Sequence, residues 1–130
     1  MSRTCLFTIS TLSLSAVFLL LGLLFVARPD LGAEIYGVQG HDPATIVYLR
    51  AVGFRDLALA AYLFGLAAAG QVRALTIILA ATIVIPVGDI VLLLRSGTGH
   101  AVHYMLHGAS LFCFAAMALW SHGISRRRSP

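Results

Sequence analysis

The feature that most constrains this chain is a long uncharged segment near its N-terminus. No charged residue occurs from Thr4 to Ala27. As an α-helix this segment is about 36 Å long, which is enough to cross a hydrocarbon layer of about 30 Å. Three more apolar segments follow, so the sequence predicts four membrane spans, at about residues 4–27, 44–69, 74–94 and 100–120.

The composition also indicates a membrane protein. Hydrophobic residues make up 59% of the 130 residues and charged residues only 11%, with a mean hydropathy of +0.92. Soluble domains are about one quarter charged. We therefore predict an all-α fold, an integral membrane four-helix bundle that forms a single transmembrane domain over residues 1–130, with a basic tail at residues 121–130. All nine basic residues are arginines, and with five acidic residues they give a net charge of +4. The arginines are clustered only at residues 126–128, which favours a tail at the membrane surface over nucleic-acid binding.

The connections between the spans carry helix start and stop signals. Arg28-Pro29-Asp30 is predicted to end the first span, and a glycine-containing loop is expected to lead to Asp42-Pro43. Aspartate at the N-cap followed by proline at the first helical position marks a helix start. Pro86 is expected to interrupt the third span, because proline has no N–H to donate to the carbonyl of Thr82.

The distribution of charge predicts the orientation of the bundle. With four spans, both termini and the second connection lie on one side of the membrane, which carries Arg3, Arg73 and the arginines at 126–128 and no acidic residue. The other side carries a mixture of charges: Arg28, Arg95, Asp30, Glu34 and Asp42. The positive-inside rule then places both termini in the cytoplasm.

Four charged residues fall within the predicted spans: Arg50, Arg55, Asp56 and Asp89. Unpaired and facing lipid, they would together cost about 10 kcal/mol. Their formal charges cancel, which favours a neutral cluster or a wet cavity. Arg50 and Asp89 are predicted to lie at a common depth on adjacent helices, and we expect them to form an ion pair. A stripe of small residues on the Arg50 side of span two is expected to pack against other helices: Ala58, Ala61, Gly65 and Ala68.

Histidines of the fourth span are predicted to join this cluster. His100, His103 and His107 fall on one face of the helix, and the last two are at the depth of Arg50 and Asp89. Two histidines spaced i, i+4 can hold a metal, but no third ligand of defined spacing accompanies them. We therefore expect no metal and no cofactor, and interpret the histidines as hydrogen-bonding or proton-transfer groups.

The whole chain resembles the small four-span bacterial and fungal membrane proteins of domain-of-unknown-function family 4267. The resemblance is carried by Pro29 and Gly37 in the first connection, "GFRDLAL" at 53–59, "GDIV" at 88–91 and "HG" at 107–108. It implies the fold and membrane residence, and it supplies no established reaction. Together with the predicted orientation, it indicates a multi-pass protein of the bacterial inner membrane.

Two classes of function remain open from the sequence. The first is a membrane enzyme that isomerises or cyclises a small lipophilic metabolite, with Asp89 or Asp56 as acid or base and His107 as partner. Its ligand, lipophilic or anionic, would be bound by Arg50, Arg55 and His103. The second is a proton-coupled carrier, which would need a homo-oligomer, or a non-catalytic membrane subunit. In a third alternative the protein is a structural scaffold, and its charged residues only hold the helices together.

Overall fold

The computed structural model describes residues 3–39 and 42–126, in which six α-helices and no strand occur. The helices are α1 (Arg3–Ala27), α2 (Pro29–Tyr36), α3 (Pro43–Ala68), α4 (Val72–Thr82), α5 (Val84–Ser96) and α6 (Ala101–Arg126). Helices α1, α3, α4 with α5, and α6 are long and apolar enough to cross a membrane. The predicted all-α class is confirmed, and so is the prediction of four helices long and apolar enough to span a membrane. Helix α6 continues through the first part of the predicted tail, and Arg127 and Arg128 lie outside the described residues.

The first connection contains a helix where a loop was predicted. Helix α2 begins with Pro29 at its first position and ends at Tyr36; it is followed by Gly37, whose φ of 92° lies in the left-handed region that favours glycine. The N–H of Gly37 donates to the carbonyl of Ala33 at 2.9 Å. Proline at the start and glycine just past the end are ordinary helix boundary signals, so the sequence did encode α2.

The predicted start of α3 is confirmed. The side chain of Asp42 accepts hydrogen bonds from the N–H groups of Ala44 and Thr45, both at 3.0 Å. The hydrogen bond from the hydroxyl of Thr45 is the main reason that the pKa of Asp42 lies below its usual range. This cap fixes the point at which the chain re-enters the bundle after α2.

Helices α1 and α3 pack closely through two glycines. A Cβ atom on Gly22 would lie 2.8 Å from the carbonyl oxygen of Gly53, and one on Gly53 would lie 2.9 Å from that of Gly22. Nearer the termini, the hydroxyl of Ser15 donates to the carbonyl of Ala60 at 2.8 Å. Close packing at small residues and hydrogen bonds from hydroxyl groups hold helices together in a bilayer, because the surrounding lipid is as apolar as the helices themselves.

The close contact predicts opposite effects for two Gly→Ala changes on one helix. In Gly53→Ala the new Cβ would lie 2.8 Å from Cγ2 of Val26, so we expect the free energy of unfolding to fall by about 1–3 kcal/mol. Gly65, on the same helix, has nothing within 4 Å of its Cβ position, and Gly65→Ala should raise stability by up to about 1 kcal/mol. Unfolding in detergent measures both changes, and shifts of the same sign would contradict the packing.

The inward face of α3 differs from the predicted one. Its buried residues are Leu49, Gly53, Asp56, Leu59, Ala60, Leu63 and Ala67. Arg50 is exposed, as are Ala61, Gly65 and Ala68 of the stripe that was expected to pack. That prediction was wrong because a small residue makes a close contact only where the partner helix is also small, as Gly22 is opposite Gly53.

The bundle has a packed half and a hollow half. In the half next to the termini, apolar side chains form a continuous core around Phe7, Leu63, Leu79 and Phe114, each at most 1% exposed. The rings of Phe7 and Trp120 meet edge to face at 5.7 Å between centroids. The other half is covered by α2, and we call it the α2 end.

The third span is broken at Ile83, between α4 and α5. Pro86 lies in the first turn of α5 and has no N–H for the carbonyl of Thr82, so the predicted interruption is confirmed. Thr82 lies at the end of α4, and its hydroxyl donates to the carbonyl of Ile78 at 2.7 Å. The break separates α4, which packs on the apolar core, from α5, which carries Asp89.

Candidate functional site

A cavity of about 170 Å³ lies between the helices in the α2 end of the bundle. Most of its wall is apolar: Phe18, Leu21, Phe25, Ile35, Val52, Leu59, Ile85, Pro86, Leu106 and Phe114. Its polar side chains come from five different helices: Tyr36, Arg55, Asp56, Thr82, Asp89, His107 and Ser110. For comparison, an apolar cavity of about 150 Å³ accepts benzene.

The centre of the polar wall is the carboxylate of Asp89, which is 7% exposed. The hydroxyl of Tyr36 donates to its Oδ1 at 2.6 Å, and Nδ1 of His107 lies 3.5 Å from its Oδ2. The rings of Tyr36 and His107 also meet edge to face, with centroids 5.2 Å apart. Three different helices, α2, α5 and α6, thus bring a phenol, an acid and an imidazole together.

His107 has a hydrogen-bond acceptor beside each ring nitrogen. Its Nδ1 faces the carboxylate of Asp89, and its Nε2 lies 3.4 Å from the carbonyl oxygen of Tyr36. The ring of His107 thus lies between α5 and the end of α2, within reach of an acceptor on each side.

Tyr36 was missed by the sequence analysis, which considered no residue of the first connection for the site. It is the last residue of α2, so its position follows from the Pro29 and Gly37 boundaries. Burial, and next the hydrogen bond to Asp89, raises the pKa of Tyr36, so its hydroxyl keeps its proton and remains a donor.

Arg55 and Asp56 form a second polar group on the α3 wall. Nε of Arg55 lies 3.2 Å from Oδ1 of Asp56, although the two residues are adjacent in sequence. The side chain of Asp56 is 8% exposed and that of Arg55 is 37% exposed. The pair thus combines the buried carboxylate of Asp56 with the partly exposed guanidinium of Arg55, and both residues line the cavity.

The family described as "Domain of unknown function (DUF4267)" matches residues 15–121, from α1 to α6. The chain belongs to this family. No curated protein and no solved structure matches it. The residues that carried the resemblance to DUF4267 meet in the α2 end: Arg55, Asp56, Asp89 and His107 line the cavity, while Pro29 and Gly37 bound the helix that covers it.

Arg50 does not pair with Asp89 in this DUF4267 protein. The two acidic residues of the cavity pair with other groups, Asp89 with His107 and Asp56 with Arg55, and Arg50 is exposed outside the cavity. The predicted pair was wrong because equal depth does not place two side chains on facing sides of their helices. Arg50 lies about 100° around α3 from the buried Leu49.

His103 lies outside the main cavity and holds α2 against α6. Its Nδ1 accepts from the N–H of His100 at 3.0 Å, and its Nε2 lies 3.1 Å from the carbonyl oxygen of Glu34. Because Nδ1 accepts, the ring proton is assigned to Nε2, which donates to Glu34. A Cβ at Gly37 would lie 2.7 Å from this ring, so the close approach also requires glycine there.

Replacing His103 is therefore expected to loosen α2. His103→Ala removes two hydrogen bonds to backbone groups, and we expect the free energy of unfolding to fall by about 1–3 kcal/mol. His122, an exposed histidine on the same helix, is the control, and His122→Ala should leave stability within about 0.5 kcal/mol. Chemical unfolding in detergent measures both variants. Equal stability of the two would show that His103 does not hold α2.

Among the described residues, no group of three or more His, Cys, Asp or Glu side chains is arranged to hold a metal ion. Asp89 and His107 have other neighbours: the hydroxyl and the carbonyl of Tyr36. The groups in this cavity are thus suited to hydrogen bonding and proton transfer.

Proposed function

We propose that this DUF4267 protein is a membrane enzyme that isomerises or cyclises a small lipophilic molecule by acid–base catalysis. The observation that carries the proposal is the carboxylate of Asp89 in the wall of a mainly apolar cavity, with Tyr36 and His107 against its two oxygens. A base held between two proton donors in a water-poor site is the arrangement that general acid–base catalysis requires.

The proton balance of this reaction closes within the cavity. Asp89 takes a proton from the substrate, and His107 or Tyr36 gives one to a different substrate atom. Asp89 is then protonated and the donor is not. The proton returns from Asp89 to that donor through their existing contact, at 3.5 Å for His107 or 2.6 Å for Tyr36. The substrate keeps its molecular formula, and no oxidant or co-substrate is needed.

Arg55 and Asp56 are proposed to orient the substrate. Only Nε of Arg55 contacts Asp56, at 3.2 Å, and the side chain is 37% exposed. Its remaining N–H groups suit a carbonyl, hydroxyl or carboxylate oxygen. The buried Asp56 balances the guanidinium charge and is the second candidate for the base. Arg50 and His103 have no part in this proposal, since neither lines the cavity.

The apolar wall supports a lipophilic substrate. Ten of the side chains around the cavity are hydrophobic, including Phe18, Phe25 and Phe114. A cavity of about 170 Å³ holds a compact molecule, or the reacting end of a longer one, since an apolar cavity of about 150 Å³ accepts benzene. Such a compound concentrates in the bilayer, where the spans of this protein lie.

One observation favours a proton-coupled carrier as a second candidate. The third span is broken at Ile83 beside a cavity with ionisable groups, and broken helices at such sites are common in transporters. However, the cavity ends on the packed core around Phe7, Leu63 and Leu79. A carrier would have to open that core or form its path in a homo-oligomer, so the enzyme is the better-supported function.

The test compares lipophilic metabolites in the native host. The gene is removed and then restored, and organic extracts are analysed by liquid chromatography and mass spectrometry. We expect a compound to accumulate in the deletion strain and, on restoration, to be converted to one of identical mass and different retention time. A changed distribution of one compound between cells and medium would instead support a carrier. Unchanged extracts would support a scaffold, and either result would overturn the enzyme proposal.

We also propose that both termini face the cytoplasm of a bacterial cell, with the cavity nearer the outer surface of the inner membrane. Support comes from the arginines outside the spans: Arg3, Arg73 and the three at 126–128 belong to the side of the termini, and only Arg28 and Arg95 to the α2 end. The test is labelling of single cysteines, after Cys5 and Cys113 have been replaced by serine. In intact cells a membrane-impermeant maleimide should label Gln39→Cys and not Arg73→Cys. The reverse pattern would invert the topology.

A further inference from the structure

Arg55 and Asp56 in the cavity wall both have hydrogen-bonding groups that are not used within the protein. One hydrogen bond joins them, from Nε of Arg55 to Oδ1 of Asp56 at 3.2 Å. Within the part of the chain that the structure describes, the terminal nitrogens of the Arg55 guanidinium donate no hydrogen bond, and Oδ2 of Asp56 accepts none. The pair therefore holds unused donors and an unused acceptor side by side.

The free oxygen of Asp56 is not enclosed by protein. Asp56 is only 5% exposed, and it lines the cavity. Among the described residues, the one fully buried side-chain oxygen or nitrogen without a partner belongs to Ser125, so Oδ2 of Asp56 keeps access to open space. A carboxylate oxygen removed from bulk water and left without a donor costs free energy, and a ligand in the cavity that donates to it removes that cost.

The charges around the cavity favour an uncharged ligand. Arg55 supplies one positive charge, and Asp56 and Asp89 supply two negative charges. A ligand carboxylate bound to the guanidinium would lie beside Oδ2 of Asp56, and two negative charges at that distance repel each other. A cationic ligand would be repelled by Arg55 and would leave its free N–H groups unpaired. The oxygens of Asp89 already have Tyr36 and His107 as neighbours.

We propose that the cavity binds an uncharged, lipophilic hydroxyketone, in which the hydroxyl group is on the carbon next to the carbonyl group. The carbonyl oxygen accepts from the terminal N–H groups of Arg55, and the hydroxyl donates to Oδ2 of Asp56. The two oxygens of such a compound are close together, as are the free groups of the two side chains, whose other atoms meet at 3.2 Å. The apolar wall, with Phe18, Phe25 and Phe114, contacts the hydrocarbon part.

This substrate class rests on the proposed acid–base function and makes it more specific. A carboxylate removes a proton from carbon only where the electron pair left behind is stabilised, and a neighbouring carbonyl does this by taking the pair onto its oxygen. In the hydroxyketone the proton goes from the carbon between the two oxygens to Asp89. The electron pair of that C–H bond moves toward the carbonyl oxygen, which the N–H groups of Arg55 stabilise. Asp56 acts as the acceptor that selects the hydroxyl.

The test measures binding, so it does not depend on turnover. Its four aromatic probes are similar in size and differ in their polar groups. The first, 2-hydroxyacetophenone, has both the hydroxyl and the carbonyl, whereas acetophenone lacks the hydroxyl, 2-phenylethanol lacks the carbonyl, and phenylacetate is an anion. The full-length protein is placed in lipid nanodiscs, and empty nanodiscs correct for partition of each probe into lipid. Titrations followed by NMR of the probe give the dissociation constants.

The variants are Arg55→Gln and Asp56→Asn, each with a matched control. Arg50→Gln is the control for the arginine, because Arg50 is exposed on the same helix and does not line the cavity. Asp30→Asn is the control for the carboxylate, because Asp30 is exposed and also lies outside the cavity wall.

We expect the unmodified protein to bind 2-hydroxyacetophenone about tenfold more tightly than acetophenone or 2-phenylethanol, each of which lacks one hydrogen bond to a charged group. Phenylacetate should bind most weakly. Arg55→Gln and Asp56→Asn should each reduce the preference for the hydroxyketone at least about threefold, and the two controls should keep it. Asp56→Asn should also bind phenylacetate more tightly than the unmodified protein does, which is a gain that an unfolded variant cannot show.

Two results with the unmodified protein would overturn this substrate class, whether or not the variants fold: phenylacetate as the tightest ligand, or equal binding of all four probes. A preference that survives both Arg55→Gln and Asp56→Asn would also overturn it. The outcome is separate from that of the metabolite test. If the preference is found but the extracts are unchanged, the binding site stands and the enzyme proposal fails. If a metabolite is converted but the preference is absent, the enzyme proposal stands and the hydroxyketone is excluded.

Discussion

Replacing Asp89 by asparagine is expected to lower the rate of product formation by about 10²–10⁴-fold, the range that a general base contributes. Asparagine has nearly the same shape and still accepts a hydrogen bond from Tyr36, but it cannot take up a proton. The protein should therefore fold and lose its activity. The measurement is the ratio of the two equal-mass compounds in the restored strain, together with unfolding of the purified variant.

Asp30→Asn is the matched control for this change. Asp30 is exposed, 2.7 Å from Arg28 in a surface ion pair, and does not line the cavity. We expect it to leave both the metabolite ratio and the stability of the protein nearly unchanged, because exposed ion pairs contribute little. A variant Asp89→Asn that folds and keeps its activity would exclude Asp89 as the base and leave Asp56 as the candidate.

Removing the hydroxyl of Tyr36 should lower the rate of product formation by about 10²–10³-fold, the largest expected loss after that of Asp89→Asn. In Tyr36→Phe the ring still packs against His107, so α2 should stay in place, while Asp89 loses its donor at 2.6 Å. The cost in stability should be only about 1–2 kcal/mol. The same metabolite ratio measures the rate, and hydrogen exchange of α2 reports whether the cap remains closed.

Tyr48→Phe provides the comparison for the hydroxyl, because Tyr48 is 73% exposed on α3 and does not line the cavity. It should behave like the unmodified protein in both measurements. If the α2 amide hydrogens of Tyr36→Phe exchange faster, and the loss of activity is proportional to that increase, the hydroxyl acts by holding α2 in place. In that case His107 alone remains as the proton donor to the substrate.

Much of the fold was encoded in features that act locally. The uncharged run from Thr4 to Ala27 predicts a span by length alone, and Asp42-Pro43 and Pro86 each act on the neighbouring turn of helix. For the same reason α2 was predictable, since Pro29 and Gly37 mark its ends. It was missed because eight residues are too few to show a clear hydrophobic period, and the connection was interpreted as a loop.

The candidate site was predicted in part. The free-energy cost of an unpaired charge in the bilayer identified Arg55, Asp56 and Asp89 as residues that need partners. Counting residues along the fourth span placed His107 at the depth of Asp89, and all four residues line the cavity. The partners themselves depend on rotation of each helix about its axis. On α3, the close approach of Gly53 to Gly22 lies on the buried face, and Arg50 lies on the exposed face. Depth follows from counting residues along a span, but rotation depends on the contacts between helices.

The division of the bundle into a packed half and a hollow half has a consequence for how such a protein can diversify. The side chains that supply most of the core, such as Phe7, Leu63 and Leu79, lie toward the termini, whereas Ile35 and Leu106 line the cavity and remain partly exposed. Substitutions at these two positions would reshape the binding space at little cost to folding. Selection could therefore fit the chain to new molecules while its scaffold stays the same, and directed evolution should begin at Ile35 and Leu106.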